Sequence, residues 1–143
     1  MRARLVEFDR DLAHDARNNA LVAGLEHVEV MTADAGDTDA YTGAVPANIA
    51  LFCGVFGNIT NEDIQRTISL LPSLLASGAE VLWTRHTMDP DLTPAIRGWF
   101  ETAGFEEMAF VASETRFAVG THRLTTTPAS FEAGVTLFEF VGR

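Results

Sequence analysis

The sequence has little cysteine, no long apolar run and half as many basic as acidic residues. Its single cysteine, Cys53, excludes an internal disulfide bond and a metal site built from several cysteines. No apolar run approaches the ~20 residues that span a membrane, and the first residues lack the apolar segment of a secretory signal. We therefore expect a cytoplasmic protein that makes no contact with a membrane.

The shortage of positive charge and the spacing of the histidines argue against further classes of protein. The chain has 10 basic and 20 acidic residues, which give a formal net charge of -10. Such a charge repels nucleic-acid phosphates and anionic lipid, so neither is an expected partner. None of the four histidines has the H-x-x-x-H spacing of a zinc site, so no metal is predicted.

Strand and helix patterns alternate along the first half of the chain. Short apolar runs at residues 5–8, 28–31 and 49–53 predict buried strands. Between the first two, Asp9 can cap a helix that Gly24 ends. A second helix is predicted by the capping-box spacing of Thr60 and Asp63. Pro72 is expected to thin its last turns and Gly78 to end it.

The second half begins in the same way and ends differently. Residues 80–84 predict a strand, and the prolines at 90 and 94 introduce a helix that ends at Gly104. Residues 105–112 and 135–141 read as two strands that are separated only by a turn-rich stretch at 113–128, so we expect them to pair antiparallel. The length of 143 residues fits a single α/β domain, with helices on both faces of a mostly parallel sheet.

This order of elements, with an antiparallel ending and an acid after each of the first two strands, resembles the class I S-adenosylmethionine-dependent methyltransferases. The sequence resembles in particular a group of small bacterial members whose substrates are unassigned. The resemblance implies a Rossmann-like three-layer sandwich with strand order 3-2-1-4-5-7-6 and an antiparallel seventh strand. The strands at 5–8 and 28–31 then match the family's second and third, those at 49–53 and 81–84 its fourth and fifth, and those at 105–112 and 135–141 its sixth and seventh.

The first strand of that family and the Gly-x-Gly-x-Gly loop after it have no counterpart in the sequence. The resemblance places them just before Leu5, and it places the strand in the middle of the sheet. We therefore expect an N-terminally incomplete domain, with a start codon assigned too late as the favoured explanation. A fragment of a longer protein and a partner chain that fills the gap are the alternatives.

The first strand carries the strongest cofactor candidate. An acid at the carboxyl end of such a strand can accept hydrogen bonds from both ribose hydroxyls. The resemblance assigns this role to Glu7, which stands ten residues before the helix residue Arg17, and it places Phe8 beside the adenine. The alternatives are a solvated strand end for Glu7 and ordinary core packing for Phe8.

The next two strands carry the remaining cofactor candidates. The resemblance implies that Asp34 accepts a hydrogen bond from the adenine amino group and that the N–H of Ala35 reaches a ring nitrogen. An Asx-turn before Gly36 is the alternative for Asp34. The resemblance also implies that the backbone of Cys53 and Gly54 runs beside the methionine part of S-adenosylmethionine. Cys53 has no activating pattern nearby, so a small apolar core residue is favoured over a nucleophile.

Four residues are candidates for the pocket of the methyl acceptor. Phe56 and Asn58 follow the strand at 49–53, although Asn58 equally fits a turn residue. His86 and His122 could approach the acceptor, one of them as a general base, but a lone histidine is more often structural. No single catalytic residue is predicted, because methyl transfer from a sulfonium depends mainly on in-line positioning.

The leading functional hypothesis is a methyltransferase that uses S-adenosylmethionine on a small-molecule acceptor. No Asn/Asp-Pro-Pro-Tyr/Phe motif of DNA or protein methyltransferases follows residue 53, where the sequence is Gly-Val-Phe-Gly-Asn. The alternative is a non-catalytic remnant that serves as an oligomerisation or interaction module, and a homodimer is possible under either reading. A nicotinamide-dependent Rossmann domain is disfavoured by the antiparallel ending.

Overall fold

The computed structural model describes residues 1–142 as two compact units. Unit 1 consists of residues 1–44 together with residues 133–136. Unit 2 begins at Val45, continues to Glu132 and includes the described residues from Leu137 onward. Within residues 1–142, no helix is long and apolar enough to cross a membrane. The expectation of a single domain over residues 1–143 stays a prediction.

Unit 1 is a β-α-β unit followed by a short turn of helix. Its elements are β1 (Ala3–Glu7), α1 (Arg10–Val22), β2 (Val28–Thr32) and a 3₁₀ helix (Thr38–Tyr41). The two strands are parallel, in a register that sets Ala3 opposite Val28 and Glu7 opposite Thr32. Because the strands are parallel and in register, their carboxyl ends meet at the same edge of this sheet.

The sequence signals at both ends of α1 are confirmed. The Asp9 carboxylate accepts hydrogen bonds from the backbone N–H groups of Asp11 and Leu12, at 2.8 and 3.0 Å. These bonds satisfy two of the amide groups that every helix start leaves open. At the other end Gly24 takes a left-handed φ of 68°, which glycine adopts at little cost.

A single arginine joins three segments of unit 1. The Arg4 guanidinium makes two hydrogen bonds to Glu29 on β2, at 3.0 and 2.8 Å. Its Nη1 atom also donates to the carbonyl oxygens of Ala40 and Thr42, at 3.1 and 2.6 Å. This side chain therefore fixes the turn that follows the 3₁₀ helix to the strand pair, a connection that sequence patterns did not reveal.

Unit 2 is built on a four-stranded sheet. Its main elements are β3 (Ala47–Phe52), α2 (Asn61–Leu70), β4 (Leu75–His86), α3 (Thr93–Thr102), β5 (Phe105–Ala112) and β6 (Phe117–Leu124). The strand order is β3-β4-β6-β5. β3 and β4 are parallel, whereas β6 is antiparallel to both of its neighbours. The expected α/β class with an antiparallel C-terminal strand is confirmed.

The position of that antiparallel strand was predicted wrongly. It is formed by Phe117–Leu124, which lies inside the stretch that the sequence indicated to be turns. Residues 135–141 form no strand. In unit 2, Phe140 makes an isolated bridge to Ile59, and the Leu137 carbonyl accepts a hydrogen bond from Thr67 Oγ1 at 3.0 Å. The backbone of this segment is therefore held by side chains and single bridges rather than by a sheet.

The predicted end of α2 was also wrong. The helix ends at Leu70 and passes into a 3₁₀ helix (Leu71–Ser73) around Pro72, as the proline led us to expect. Gly78 does not end a helix but lies inside β4, with a φ of 74°. The pairing with β3 is irregular there and moves from Leu75 opposite Ala47 to Glu80 opposite Ile49, so the glycine accommodates a bulge.

The core of unit 2 is centred on Trp83, which is fully buried. Its ring packs within 6.2 Å, centre to centre, of the rings of Phe56, Phe100 and His122. Unit 1 buries much less, because its buried apolar residues are Ala13, Val30 and Ala40. The edges of β1 and β3 that face away from their partners have no strand against them among the described residues.

Candidate functional site

Glu7 and Phe8 lie where β1 ends. Glu7 is half-buried, and its Oε1 atom accepts a hydrogen bond from the N–H of Asp9 at 2.8 Å. Its Oε2 atom accepts no hydrogen bond from the described residues, so the carboxylate keeps accepting capacity. The ring of Phe8 is 55% exposed. Phe8 is therefore not a core residue.

Asp34 and Ala35 form the turn that follows β2, at the same edge of this sheet. Asp34 is exposed, and its Oδ1 atom accepts a hydrogen bond from the N–H of Gly36 at 2.8 Å. This is the Asx-turn that the sequence offered as the alternative role. The N–H of Ala35 makes no hydrogen bond with any described residue, and it remains available as a donor.

Two residues that stabilise this edge were missed or only partly foreseen. The Tyr41 hydroxyl donates to the Ala35 carbonyl at 2.7 Å. Burial, and secondarily the Asp34 charge, raise the pKa of Tyr41 to about 12, so it stays a neutral donor. Arg17 donates to the Val30 carbonyl at 3.1 Å and to Thr32 Oγ1 at 2.7 Å. Spacing alone had identified Arg17, and no sequence signal pointed to Tyr41.

In unit 2, Cys53 and Gly54 follow β3 directly. The expectation that Cys53 is a core residue is wrong, because its side chain is exposed. The strand has ended at Phe52, which is the last buried position. Gly54 has a φ of 74°, and its N–H donates to Thr84 Oγ1 on β4 at 3.0 Å. No atom lies within 4 Å of the position that a β-carbon would take, so the backbone there is open to a ligand.

The two acceptor-pocket candidates in the following loop differ in their surroundings. Phe56 is fully buried and packs on Phe52 with 5.3 Å between ring centres, so its side chain belongs to the core. Asn58 is exposed, and its Nδ2 atom donates to the Gly54 carbonyl at 2.6 Å. Asn58 thus closes a turn, the alternative that the sequence had left open.

The structure does not bring His86 and His122 together. His86 is half-buried where β4 ends, and its Cδ2 atom lies 3.8 Å from the β-carbon position of Gly57. His122 is opposite Val81, five residues earlier along β4, and is 1% exposed. Its Nδ1 atom accepts a hydrogen bond from Trp83 Nε1 at 3.1 Å. His122 therefore lies in the core, away from the loop that carries Gly54 and Asn58.

Arg85 was not singled out from the sequence, yet it precedes His86 at the end of β4 and contacts the loop that carries Phe56. Its Nη1 atom donates to the Phe56 carbonyl, and its Nε atom is buried without a hydrogen-bond partner among the described residues. Burial lowers the pKa of Arg85, while the nearby Asp91 charge opposes that shift.

In residues 1–142 no group of three or more metal-ligating side chains comes together.

Comparison with solved structures identifies the fold. The chain is similar to an O-methyltransferase family protein from Burkholderia thailandensis, with a TM-score of 0.67, 15% identity and 90% of this chain covered. It is also similar to an O-methyltransferase family 2 protein from Planctomyces limnophilus in complex with apigenin, with a TM-score of 0.63, 16% identity and 85% covered. The S-adenosylmethionine-dependent methyltransferase SibL gives a TM-score of 0.61, 19% identity and 90% covered.

These similarities show the fold, which is that of S-adenosylmethionine-dependent methyltransferases. The chain spans 45%, 43% and 44% of the lengths of these three proteins, in the same order. No protein-family model and no curated protein matches the chain.

Proposed function

We propose that this chain is the greater part of a methyltransferase domain that uses S-adenosylmethionine to methylate a small-molecule acceptor. The observation that carries the proposal is the set of groups at the carboxyl ends of β1 and β2 in unit 1. Glu7 is the last residue of β1 and Asp34 follows β2, and near them are the exposed ring of Phe8 and the Ala35 N–H, which has no hydrogen-bond partner among the described residues. The complex of one structural neighbour with apigenin supports a small acceptor.

The groups in unit 1 fit the adenosine half of this cofactor. The Glu7 carboxylate retains an oxygen that can accept a hydrogen bond from a ribose hydroxyl. Asp34 can accept from an exocyclic amine, and the Ala35 N–H can donate to a ring nitrogen. The exposed ring of Phe8 offers a stacking surface. When bound, S-adenosylmethionine supplies a methyl group that is already activated by the sulfonium.

Fewer groups of the chain fit the methionine half of S-adenosylmethionine. No Gly-x-Gly-x-Gly sequence is present to receive it. We propose that a strand and a glycine-rich loop that are not part of these 143 residues complete the cofactor site. The unpaired edge of β1 is in keeping with this proposal, because backbone groups at such an edge are suited to pair with a further strand.

Calorimetric titration with S-adenosylhomocysteine tests the proposal, on the 143-residue chain and on a chain extended by the upstream codons. We expect the extended chain to bind at micromolar or tighter concentration and the shorter chain to bind more weakly. Failure of the extended chain to bind would overturn the methyltransferase proposal and would favour a non-catalytic module.

Glu7→Gln in the extended chain provides the residue-level test. The substitution keeps the size of the side chain but removes its charge, and hydrogen bonds to a charged group are worth about 1.5–3 kcal/mol. We therefore expect the affinity for S-adenosylhomocysteine to fall about tenfold or more. Glu26→Gln is the matched control, because Glu26 is exposed before β2 and should leave affinity unchanged. Equal affinity of the Glu7→Gln protein and its parent would remove Glu7 from the site.

A further inference from the structure

The arginines of unit 2 differ in how their charge is balanced. Arg66, Arg97 and Arg123 each lie within 2.6 Å of a carboxylate oxygen, on Asp63, Glu107 and Glu80 respectively. Arg85 is half-buried and has no carboxylate within 4.0 Å among the described residues. A cation that is partly withdrawn from water without a partner is unfavourable by itself, so its setting calls for a compensating group.

The hydrogen bonds of Arg85 point to the same conclusion. Its Nη1 atom donates to the Phe56 carbonyl, and its Nε atom is buried without a partner in the described chain. The Nη2 atom also makes no hydrogen bond, and it is not among the atoms closed off from solvent. Guanidinium groups present their donors as a flat fork that matches a carboxylate or a similar oxyanion.

The charge of Asp91 acts on Arg85 from a distance, but no carboxylate oxygen of the described residues lies within 4.0 Å of the guanidinium. The Oδ1 atom of Asp91 accepts from the N–H and the hydroxyl of Thr93, at 2.9 and 2.8 Å, and so caps the start of α3. His86, the next residue, has a buried Nδ1 atom without a hydrogen-bond partner among the described residues. Two adjacent residues at the end of β4 thus hold unsatisfied polar atoms, Arg85 next to Phe56 and His86 next to Gly57.

We propose that Arg85 binds an anionic oxygen of the methyl acceptor, a carboxylate or an ionised phenol. That the anion is the methyl acceptor rests on the function proposed above, whereas the binding of an anion rests on the structure of unit 2 alone. The chain carries a net charge of -10, which repels anions at long range. Specificity for an acidic molecule therefore requires a local unpaired cation such as Arg85.

Binding of simple anions to the full chain tests this proposal without the cofactor. Benzoate is the carboxylate probe and 4-nitrophenolate, at pH 8, is the phenolate probe. Benzamide and 4-nitroanisole are their neutral counterparts. Titrations followed by backbone amide chemical shifts, at constant ionic strength, locate and quantify binding. We expect one of the two anions to shift the signals of Gly57, Asn58 and His86 saturably, and its neutral counterpart to bind at least tenfold more weakly.

Two variants separate recognition from structure. Arg85→Gln should weaken anion binding about tenfold, since a charge-assisted hydrogen bond is lost, while Arg85→Lys should retain part of it. Arg123→Gln removes the same charge near the other end of β4 and should leave affinity within twofold. If Arg85→Gln binds the anions as tightly as its parent, or if neither anion binds saturably, the proposal is overturned. Thermal unfolding of all three variants shows whether Arg85 serves only to hold the Phe56 carbonyl.

The two proposals fail in different experiments. Loss of S-adenosylhomocysteine binding with Arg85-dependent anion binding intact would refute the methyltransferase function and leave the anion site. Binding of S-adenosylhomocysteine without any Arg85-dependent anion binding would refute only the inference about the acceptor.

Discussion

His122, which is buried against Trp83, should make the stability of the protein depend on pH. The indole Nε1–H donates to His122 Nδ1, so the neutral imidazole carries its proton on Nε2. The ring lies 4.3 Å from that of Phe100, and its Nε2 atom is 3.6 Å from Glu107. Burial lowers the pKa of His122 below its usual 6.5, an effect that Glu107 opposes and Arg97 reinforces.

Stability should therefore fall as the pH drops below about 6.5. The unfolded chain takes up a proton at His122 near its usual pKa, whereas the folded chain takes it up only at lower pH, so protonation favours unfolding in that window. The contribution is fully present above the unfolded pKa. Urea unfolding at pH 7.5, 6.5 and 5.5, followed by tryptophan fluorescence, measures the effect.

His122→Asn provides the control for this titration. Asparagine retains an oxygen that can accept from Trp83 but does not titrate, so the variant should lose less stability between pH 7.5 and 5.5 than its parent. The same loss in both proteins would show that other groups account for the pH dependence.

At the same scale, the sequence predicted the acids at the strand ends of unit 1 better than it predicted the position of His122, which lies in the core of unit 2. Glu7 and Asp34 were found because strand ends in parallel sheets bear ligand-binding groups. Arg85 was overlooked because its importance depends on the Phe56 carbonyl and on the distance to carboxylates, which sequence spacing does not encode. His122 had been placed near the acceptor because its strand was not recognised.

Among the elements, β6 shows why a strand can escape detection. Its buried face consists of Ala118, Gly120, His122 and Leu124, while its outward face includes Phe117 and Val119. The size of the apolar side chains therefore does not indicate which face of this strand is buried. Residues 135–141 have the opposite character, because they are rich in β-forming residues but pair only at isolated positions.

The small inward residues of β6 leave room for the indole of Trp83. A β-carbon at Gly120 would overlap the Cε2 atom of Trp83. Gly120→Ala should therefore lower the free energy of unfolding by about 1–3 kcal/mol, because the indole or the strand must shift. Urea unfolding followed by tryptophan fluorescence is the measurement.

Gly98→Ala is the matched control on α3. Its β-carbon would meet no atom within 4 Å, and alanine favours a helix over glycine by about 0.5–1 kcal/mol. This variant should be more stable than its parent. An unchanged stability of Gly120→Ala would contradict the packing described here.

For the whole molecule, the uneven distribution of buried apolar residues should separate the unfolding of the two units. Unit 1 leaves Leu12, Leu21 and Val22 of α1 at 58%, 80% and 89% exposure, whereas unit 2 contains the aromatic core. Regions with few buried apolar contacts open at lower free energy than the core.

We expect two unfolding transitions in urea that different probes detect. Both tryptophans, Trp83 and Trp99, lie in unit 2, so their fluorescence reports on that unit. Circular dichroism at 222 nm also reports on α1, which at 13 residues is the longest α-helix of the described chain. Part of the dichroism signal should be lost at a lower urea concentration than the fluorescence change. Coincident transitions would indicate cooperative unfolding instead.

The exposed position of Cys53 makes the open loop of unit 2 accessible to chemical labelling. It is the one thiol of the sequence, and it precedes Gly54, whose backbone has a left-handed φ of 74°. A maleimide fluorophore or a nitroxide would therefore attach at one place without any cysteine having to be removed. A change in its emission or mobility on addition of benzoate or S-adenosylhomocysteine would report each binding event from the loop itself, in the native sequence.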